Sequence, residues 1–194
     1  MNAYDFDKTI YAGDSSVDFY LFSLLRHPSL ISLWPSQVAA FFRYKSGKCD
    51  KTAMKQVFFA FVKKIPDIDG EVKRFWDKKE KKIYAWYLEQ RREDDVIISA
   101  SPEFLLGDIC SRLGLPAPIA SRVDKKSGAF EGKNCHDTEK VVRFRELYGD
   151  AKVAKFYSDS RSDTPMAQIA DEAFFIRGGK VEPWGEMIPQ ESYD

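Results

Sequence analysis

The feature that most limits the fold is an alternation of apolar runs and amphipathic segments after residue 94. DVIISAS, residues 95–101, is a continuous apolar run, typical of a strand buried on both faces. The next segments predict a helix over PEFLLGDICSRLG, capped by Ser101, and then a hairpin that turns near Lys126–Gly128. A helix over DTEKVVRFRELYG and a strand over KVAKFYSDS follow. The pattern ends with a helix over TPMAQIADE and a last strand over AFFIR. Strands that alternate with helices indicate a mainly parallel sheet.

A second feature is a long helical stretch near the start of the chain. Residues 2–6 predict a short strand that ends in Asp-Phe-Asp, and the apolar period is then helical until about residue 92, with breaks at Pro28, Pro35 and Pro66. We therefore expect an α/β protein with a Rossmann-like, mainly parallel sheet and helices on both faces. Its core would comprise residues 1–14 and 93–194, and residues 15–92 would be an inserted, all-helical cap.

Composition excludes several classes of protein. Thirty basic and 30 acidic residues balance, so nothing favours a general nucleic-acid surface. The cysteines, Cys49, Cys110 and Cys135, have no metal-type spacing with the two histidines, which favours free thiols in a reducing compartment. The apolar stretches are too short to cross a bilayer and charge arrives at Asp5, so we expect a cytoplasmic protein.

Polar residues gather at the ends of three predicted strands. Asp5 and Asp7 end the first, Ser99 lies near the end of the second, and Asp159, with Asp163 four residues later, ends the third. Because the carboxyl ends of parallel strands share one edge of a sheet, these side chains are expected to meet. Four carboxylates at one edge repel one another, and oxygen ligands of this kind suit Mg²⁺. Lys140 is the best candidate for an additional cation.

Such a group of residues fits phosphoryl chemistry. A carboxylate can attack phosphorus to give an aspartyl-phosphate, and a second carboxylate can move the proton. Asp5 and Asp7 are two residues apart, so in extended chain they point the same way while Phe6 faces the core. The metal and a lysine would neutralise charge on the transferring group, and backbone N–H groups at the next helix start could cradle phosphate oxygens.

The motifs also resemble a known family. DFDKT resembles the DxDxT motif of the haloacid dehalogenase-like hydrolases, and IISAS resembles the second motif of that family. Lys140 falls at the position of the lysine in the third motif, and YSDSRSDTPM resembles the fourth motif. SASPEF, GAFEGKNC and the helical insertion look like subfamily IB, the phosphoserine-phosphatase-like group.

The resemblance implies a role for each matching residue. Asp5 would be the nucleophile, Asp7 the general acid and base, and Ser99 and Lys140 the partners of the phosphoryl group. Mg²⁺ would be held by Asp5, the Asp7 backbone carbonyl and Asp159, with Asp163 acting directly or through water. The substrate-binding set would be Thr9, which also supports the loop, together with Asp14, Ala100 and Ser101.

Several alternatives stay open. Asp14 and Asp163 are also suited to capping helices. The segment KTAMKQVFF lacks the arginine that binds the substrate carboxylate in phosphoserine phosphatases, which disfavours phosphoserine as the substrate. We expect a small phosphorylated metabolite, and a phospholipid head group is the alternative substrate. A phosphoaspartate signalling receiver and a non-catalytic binding module are the competing functions.

The helical insertion is also rich in aromatic residues. They predict a cap core, and the less favoured alternative is an apolar surface that contacts lipid or a partner. These residues are Phe19, Tyr20, Phe22, Phe41, Phe42, Phe58, Phe59 and Phe61. We expect a small phosphorylated molecule as the partner of the protein, and no nucleic acid. The residues do not indicate an oligomeric state.

Overall fold

The computed structural model describes residues 1–185, which contain six strands and eight α-helices. The strands are β1 (Asn2–Tyr4), β2 (Val96–Pro102), β3 (Ile119–Ser121), β4 (Val153–Ser158), β5 (Ala170–Arg177) and β6 (Lys180–Pro183). The α-helices are α1 (Ser15–Arg26), α2 (Trp34–Lys45), α3 (Lys51–Phe59), α4 (Ile68–Lys79), α5 (Ala85–Gln90), α6 (Glu103–Arg112), α7 (Thr138–Tyr148) and α8 (Thr164–Gln168). Short 3-10 helices cover Pro28–Leu33, Ala60–Lys64, Glu80–Lys82 and Arg161–Asp163.

The six strands form one sheet in the order β3-β2-β1-β4-β5-β6. Every neighbouring pair is parallel except β5 and β6, which are antiparallel, so the predicted mainly parallel sheet is confirmed. Strands β2 and β3 lie on one side of β1, and strands β4, β5 and β6 lie on the other side. The crevice beyond the carboxyl ends of β1 and β4 is thus the switch point where open α/β sheets bind ligands.

Both faces of the sheet are covered, as predicted. On one face, Ala3, Val96 and Phe156 pack in a buried cluster that includes Phe144 of α7 and Met166 of α8. The opposite face of the sheet carries the side chains that follow these three residues in their strands. These belong to a second cluster, which is formed with α6 and the helical insertion and includes Tyr4, Ile97, Tyr157, Leu105, Ile109, Phe19 and Phe61. The alternation of side chains along each strand explains why both faces are apolar.

The helices α1 to α5 form the insertion between β1 and β2, and its two ends are joined. The Ala12 amide donates to the Lys82 carbonyl at 2.8 Å, and the Tyr84 amide donates to the Ile10 carbonyl at 2.9 Å. These bonds fix the start of the insertion against its end, directly after the Asp-Phe-Asp segment. The division into a core domain and a separate cap domain stays a prediction. The last residues of the predicted core domain, 186–194, lie outside the described part of the chain.

Three local predictions were wrong because strand pairing outweighed local sequence preference. Ser101 does not cap α6, since β2 continues to Pro102 by pairing with Ser121 of β3. The segment Ala170–Glu172, predicted to be helical, is in β5 because it pairs with β4. Strand β6 was not predicted at all, since its four residues carry too little apolar pattern to indicate a strand.

The predicted hairpin is reduced to a single antiparallel bridge between Val123 and Phe130. Its turn contains Gly128 at φ +71°, where an added Cβ would lie 2.2 Å from the Phe59 carbonyl oxygen. Only glycine therefore permits this approach of the turn to the insertion.

The aromatic residues of the insertion are divided between core and surface. Most are buried, whereas Phe58 is partly buried and Phe41 and Phe42 are exposed. The three cysteines are free thiols: Cys110 and Cys135 are buried, and Cys49 is partly exposed. Among residues 1–185, no helix has the length and apolarity needed to cross a membrane.

Trp76 provides a test of how strongly the insertion is joined to the sheet. Its ring is fully buried, packs edge-on against Phe6, and donates from Nε1 to the Leu105 carbonyl at 2.7 Å. We expect Trp76→Ala to lower the free energy of unfolding by about 3–5 kcal/mol, because it leaves a cavity in a shared cluster. Chemical denaturation should show one transition for the whole chain.

The matched control for this change is Leu88→Ala, whose side chain is 44% exposed in α5. It should change stability by less than about 0.5 kcal/mol. Two separate transitions, only one of them shifted by Trp76→Ala, would contradict the shared cluster.

Candidate active site

A cavity of about 390 Å³ lies at the carboxyl edge of the sheet, beneath the helical insertion. Nine of the ten residues predicted for the site line it, and they come from the ends of β1, β2 and β4 and from α1 and α7. These are Asp5, Asp7, Asp14, Ser99, Ala100, Ser101, Lys140, Asp159 and Asp163. Thr9 is the exception. The fold therefore brings together side chains that are as much as 158 residues apart in sequence.

Lys140 is the centre of the hydrogen-bonding arrangement. Its Nζ donates to Asp5 Oδ1 and to Asp163 Oδ2, both at 2.7 Å, and the lysine side chain is only 2% exposed. The Asp5 amide donates to the Tyr157 carbonyl at 2.8 Å, which places the residue after β1 against the end of β4. Ser158 Oγ also donates to Asp163 Oδ2, so this carboxylate accepts two hydrogen bonds at one oxygen.

The charges in this group are not fully balanced by one lysine. Burial by itself lowers the pKa of Lys140, but the carboxylates of Asp5 and Asp163 outweigh burial and hold its pKa above the usual value. Burial raises the pKa of Asp5, with Lys140 opposing this effect and Asp163 adding to it. Two carboxylates that share one ammonium group leave net negative charge on buried side chains.

Asp7 lies on the same side of the segment as Asp5, as predicted, and has different partners. The Ser15 amide donates to Asp7 Oδ1 at 2.7 Å and the Ser101 hydroxyl donates to Oδ2 at 2.5 Å. Burial raises the pKa of Asp7 to about 6, Asp14 adds to the effect, and the two serines oppose it. Phe6, between the two aspartates, is fully buried, as predicted.

Thr9 is fully buried and does not line the cavity. Its hydroxyl oxygen accepts a hydrogen bond from the Asp159 amide at 3.0 Å. Thr9 thereby joins the loop after β1 to the loop after β4. Burial raises the pKa of Asp159, while Lys8 opposes the rise.

The serines after β2 form a connected set. Ser99 is 1% exposed, and its Oγ accepts a hydrogen bond from the Ser101 amide at 3.1 Å. Ser101 Oγ also lies 2.9 Å from Ser16 Oγ, at the start of the insertion. The Ser101 hydroxyl thus links the Asp7 carboxylate to α1, which explains why it is not available to cap α6.

Asp14 lies in both of its predicted places. It is the N-cap of α1, where its Oδ1 accepts a hydrogen bond from the Val17 amide at 3.0 Å, and it lines the cavity. Asp163 occupies the N-cap position of α8, but its side chain makes no capping hydrogen bond. Its carboxylate is directed to Lys140 instead.

Sequence reasoning missed the basic residues that the insertion supplies. Lys51 and Lys55, one turn apart on α3, line the cavity together with Lys8 and His136. Lys55 Nζ donates to the Ala100 carbonyl at 2.8 Å and to Asn134 Oδ1 at 3.1 Å. Burial, with the neighbouring Lys51 ammonium, lowers the pKa of Lys55 to about 8. The spacing of the two lysines on a predicted helix was the only available signal.

The donors on the core side fit a hard divalent cation. Burial raises the pKa of the Asp5 and Asp159 carboxyl groups, because their charged forms are poorly solvated. A cation bound to their oxygens would therefore offset the free-energy cost of keeping these carboxylates charged. Within the described residues, no group of three Asp, Glu, His or Cys side chains converges as a complete metal site. A cation here would therefore need backbone carbonyl, water or substrate oxygens as further ligands.

Replacement of Lys140 tests the charge arrangement. Lys140→Met should lower the free energy of unfolding by about 3–5 kcal/mol, because it leaves two buried carboxylates without their cation. The double variant Lys140→Met/Asp163→Asn should regain part of this loss in chemical denaturation. Lys152→Met, at an exposed lysine, is the control and should have little effect. A fully stable Lys140→Met protein would contradict this description.

Comparisons with known proteins agree with the geometry. The chain is 28% identical over 191 residues to the protein CicA of Caulobacter vibrioides, covering 88% of this chain and 82% of the relative. Its fold is similar to a crystal structure of a protein of unknown function from Bordetella pertussis, with a TM-score of 0.74, 17% identity, and coverage of 89% of this chain and 87% of that one. A phosphoserine phosphohydrolase-like protein from Francisella tularensis gives a TM-score of 0.56, with 16% identity and coverage of 89% and 86%.

A family model covers the motifs directly. The haloacid dehalogenase-like hydrolase model matches residues 3–168, which include every residue predicted for the site. Since this match spans most of the chain and contains the strand-end aspartates around Lys140, the chain belongs to the haloacid dehalogenase-like hydrolase family.

Proposed function

We propose that this hydrolase is a Mg²⁺-dependent phosphatase that cleaves a phosphomonoester through an aspartyl-phosphate intermediate. The observation that carries the proposal is the position of Asp5, which shares Lys140 with Asp163 in a cavity that Asp7 also lines. One carboxylate is thus held beside a cation in the wall of the cavity, while a second lies two residues away with separate hydrogen-bond partners.

In the first step, an Asp5 carboxylate oxygen attacks phosphorus, a new O–P bond forms and the P–O bond to the alcohol breaks. Asp7 gives its proton to the leaving oxygen. In the second step, water attacks the phosphorus of the aspartyl-phosphate, Asp7 takes a proton from the water, and the Asp5–phosphorus bond breaks to release inorganic phosphate. Both side chains return to their starting states.

The other residues have supporting roles in the proposal. Lys140 holds Asp5 in place and offsets charge on the transferring group, and Ser99 donates to a phosphoryl oxygen. Ala100 and Ser101 present backbone at the end of β2, and Asp14 contacts the substrate from the start of α1. Mg²⁺, held by Asp5, the Asp7 carbonyl and Asp159 with Asp163 nearby, would supply charge stabilisation at the phosphoryl oxygens.

The substrate would be a small phosphorylated molecule or a phospholipid head group, and subfamily IB stays a prediction. The free thiols favour a reducing compartment, in agreement with a cytoplasmic location. A phosphoaspartate signalling receiver would instead accumulate stable phosphoprotein after treatment with acetyl phosphate. A non-catalytic binding module would neither hydrolyse a phosphomonoester nor accumulate phosphoprotein.

Asp5→Asn tests the nucleophile. With Mg²⁺ and an aryl phosphate as substrate, the variant should lose at least about 10³-fold in kcat, because the amide cannot form the intermediate. The measurement is steady-state release of inorganic phosphate. Asp171→Asn, at an exposed aspartate of β5, is the matched control and should retain full activity. Undiminished turnover by Asp5→Asn would reject the proposed nucleophile.

The metal is tested by binding, independently of activity. Mg²⁺ at about 100 times its dissociation constant should raise the free energy of unfolding by about 2.7 kcal/mol. Asp159→Asn should lose most of this gain, whereas Asp171→Asn should keep it. An equal gain in wild type and Asp159→Asn would show that the cation binds elsewhere.

A further inference from the structure

The exposed apolar side chains of this protein are concentrated in one part of the insertion. Among the residues described, 12 large apolar side chains are exposed, and eight of them belong to residues 17–42. Val17, Leu21 and Leu25 follow one another at four-residue spacing along α1. A concentration of this kind indicates a surface that binds another molecule.

The second half of this surface is a groove of about 350 Å³ beside α2. It is lined by Trp34, Gln37, Val38, Phe41 and Phe58. Trp34, Val38 and Phe41 are each about half exposed and lie on one face of the helix. The groove is therefore open to solvent and almost entirely apolar.

The only amide side chain in the groove has its hydrogen bonds satisfied. Gln37 Oε1 accepts from the Tyr20 hydroxyl at 2.8 Å, and Gln37 Nε2 donates to the Phe58 carbonyl at 3.2 Å. An occupant therefore need not bring a polar group to pair with this amide. Apolar contact is what the groove offers.

The groove and the active-site cavity share a wall. Phe58 lines both of them, and on the cavity side it is accompanied by Val17, Met54 and Phe59. Val17 is also the first residue of the exposed stripe on α1. The cavity thus has two different sides: carboxylates, serines and lysines around the place proposed for phosphate, and an apolar side that borders the surface groove at Phe58.

We propose that the substrate is a phosphomonoester whose alcohol carries an apolar chain, and that this chain passes Phe58 and lies in the groove formed by Trp34, Val38 and Phe41. This inference rests on the proposed phosphatase function. The shared Phe58 favours this occupant, because a separate partner protein would not need a groove that borders the active site.

A series of linear alkyl phosphates tests the inference. Ethyl, butyl, hexyl and octyl phosphate, used below the concentrations at which they aggregate, have leaving alcohols of nearly equal acidity, so differences in rate report binding of the chain. The value of kcat/KM should rise with chain length, by up to about fourfold for each methylene group that becomes buried.

Val38→Ser and Phe41→Ser should flatten this rise by lowering kcat/KM for octyl phosphate more than for ethyl phosphate. Val181→Ser is the matched control, since this valine has similar exposure on β6, 43% against 51% for Val38. It should keep the full dependence on chain length.

The outcomes separate the two proposals. Turnover with equal kcat/KM from ethyl to octyl phosphate overturns the inference about the apolar chain and leaves the phosphatase function standing. Cosedimentation of the protein with phosphatidylglycerol vesicles would not rescue the inference in that case, because the groove would then be a bilayer contact and not a substrate subsite. A dependence on chain length that Val38→Ser and Phe41→Ser leave intact also overturns it. Failure to hydrolyse any phosphomonoester removes the phosphatase function and this inference with it.

Discussion

The ion pairs of Lys140 with Asp5 and Asp163 are the interaction on which the rest of the site depends. The three residues belong to α7, to the segment after β1 and to the start of α8, and they meet only when β1 and β4 are adjacent. An unpaired charge at this depth would cost several kcal/mol, so the sheet order and the position of the helix are needed together. The same arrangement holds Asp5 toward the cavity, where its carboxylate is exposed to a ligand.

The helical insertion completes this site in two ways. Its first residues bond to Asp7 through the Ser15 amide, and α3 brings Lys51 and Lys55 to the side of the cavity opposite the sheet. It also covers the carboxylates with apolar residues, which lowers the local dielectric and strengthens every charge interaction inside. The shared cluster around Trp76 keeps these helices against the sheet. Packing of the insertion is thus directly connected to the electrostatics of the cavity.

The parts of the fold that were predictable are those in which local pattern and tertiary structure agree. Val96–Ile98 had to be buried on both faces, and the polar residues after three parallel strands had to meet at one edge of the sheet. The errors lie where pairing with a distant strand decided the outcome, as for Ala170–Glu172 and for β6. Lys55 could not be assigned from sequence, because it reaches the cavity from the insertion. The partner of Thr9 could not be predicted either, because it lies in a loop 150 residues away.

The most direct test of the central claim is chemical trapping of the intermediate. The protein is mixed with Mg²⁺ and an aryl phosphate, quenched during turnover, treated with borohydride to reduce acyl phosphates to alcohols, and mapped by peptide mass spectrometry. We expect a reduced side chain at position 5 and at no other carboxylate. Reduction at a different aspartate, or an unmodified Asp5 in protein that was releasing phosphate when quenched, would contradict it.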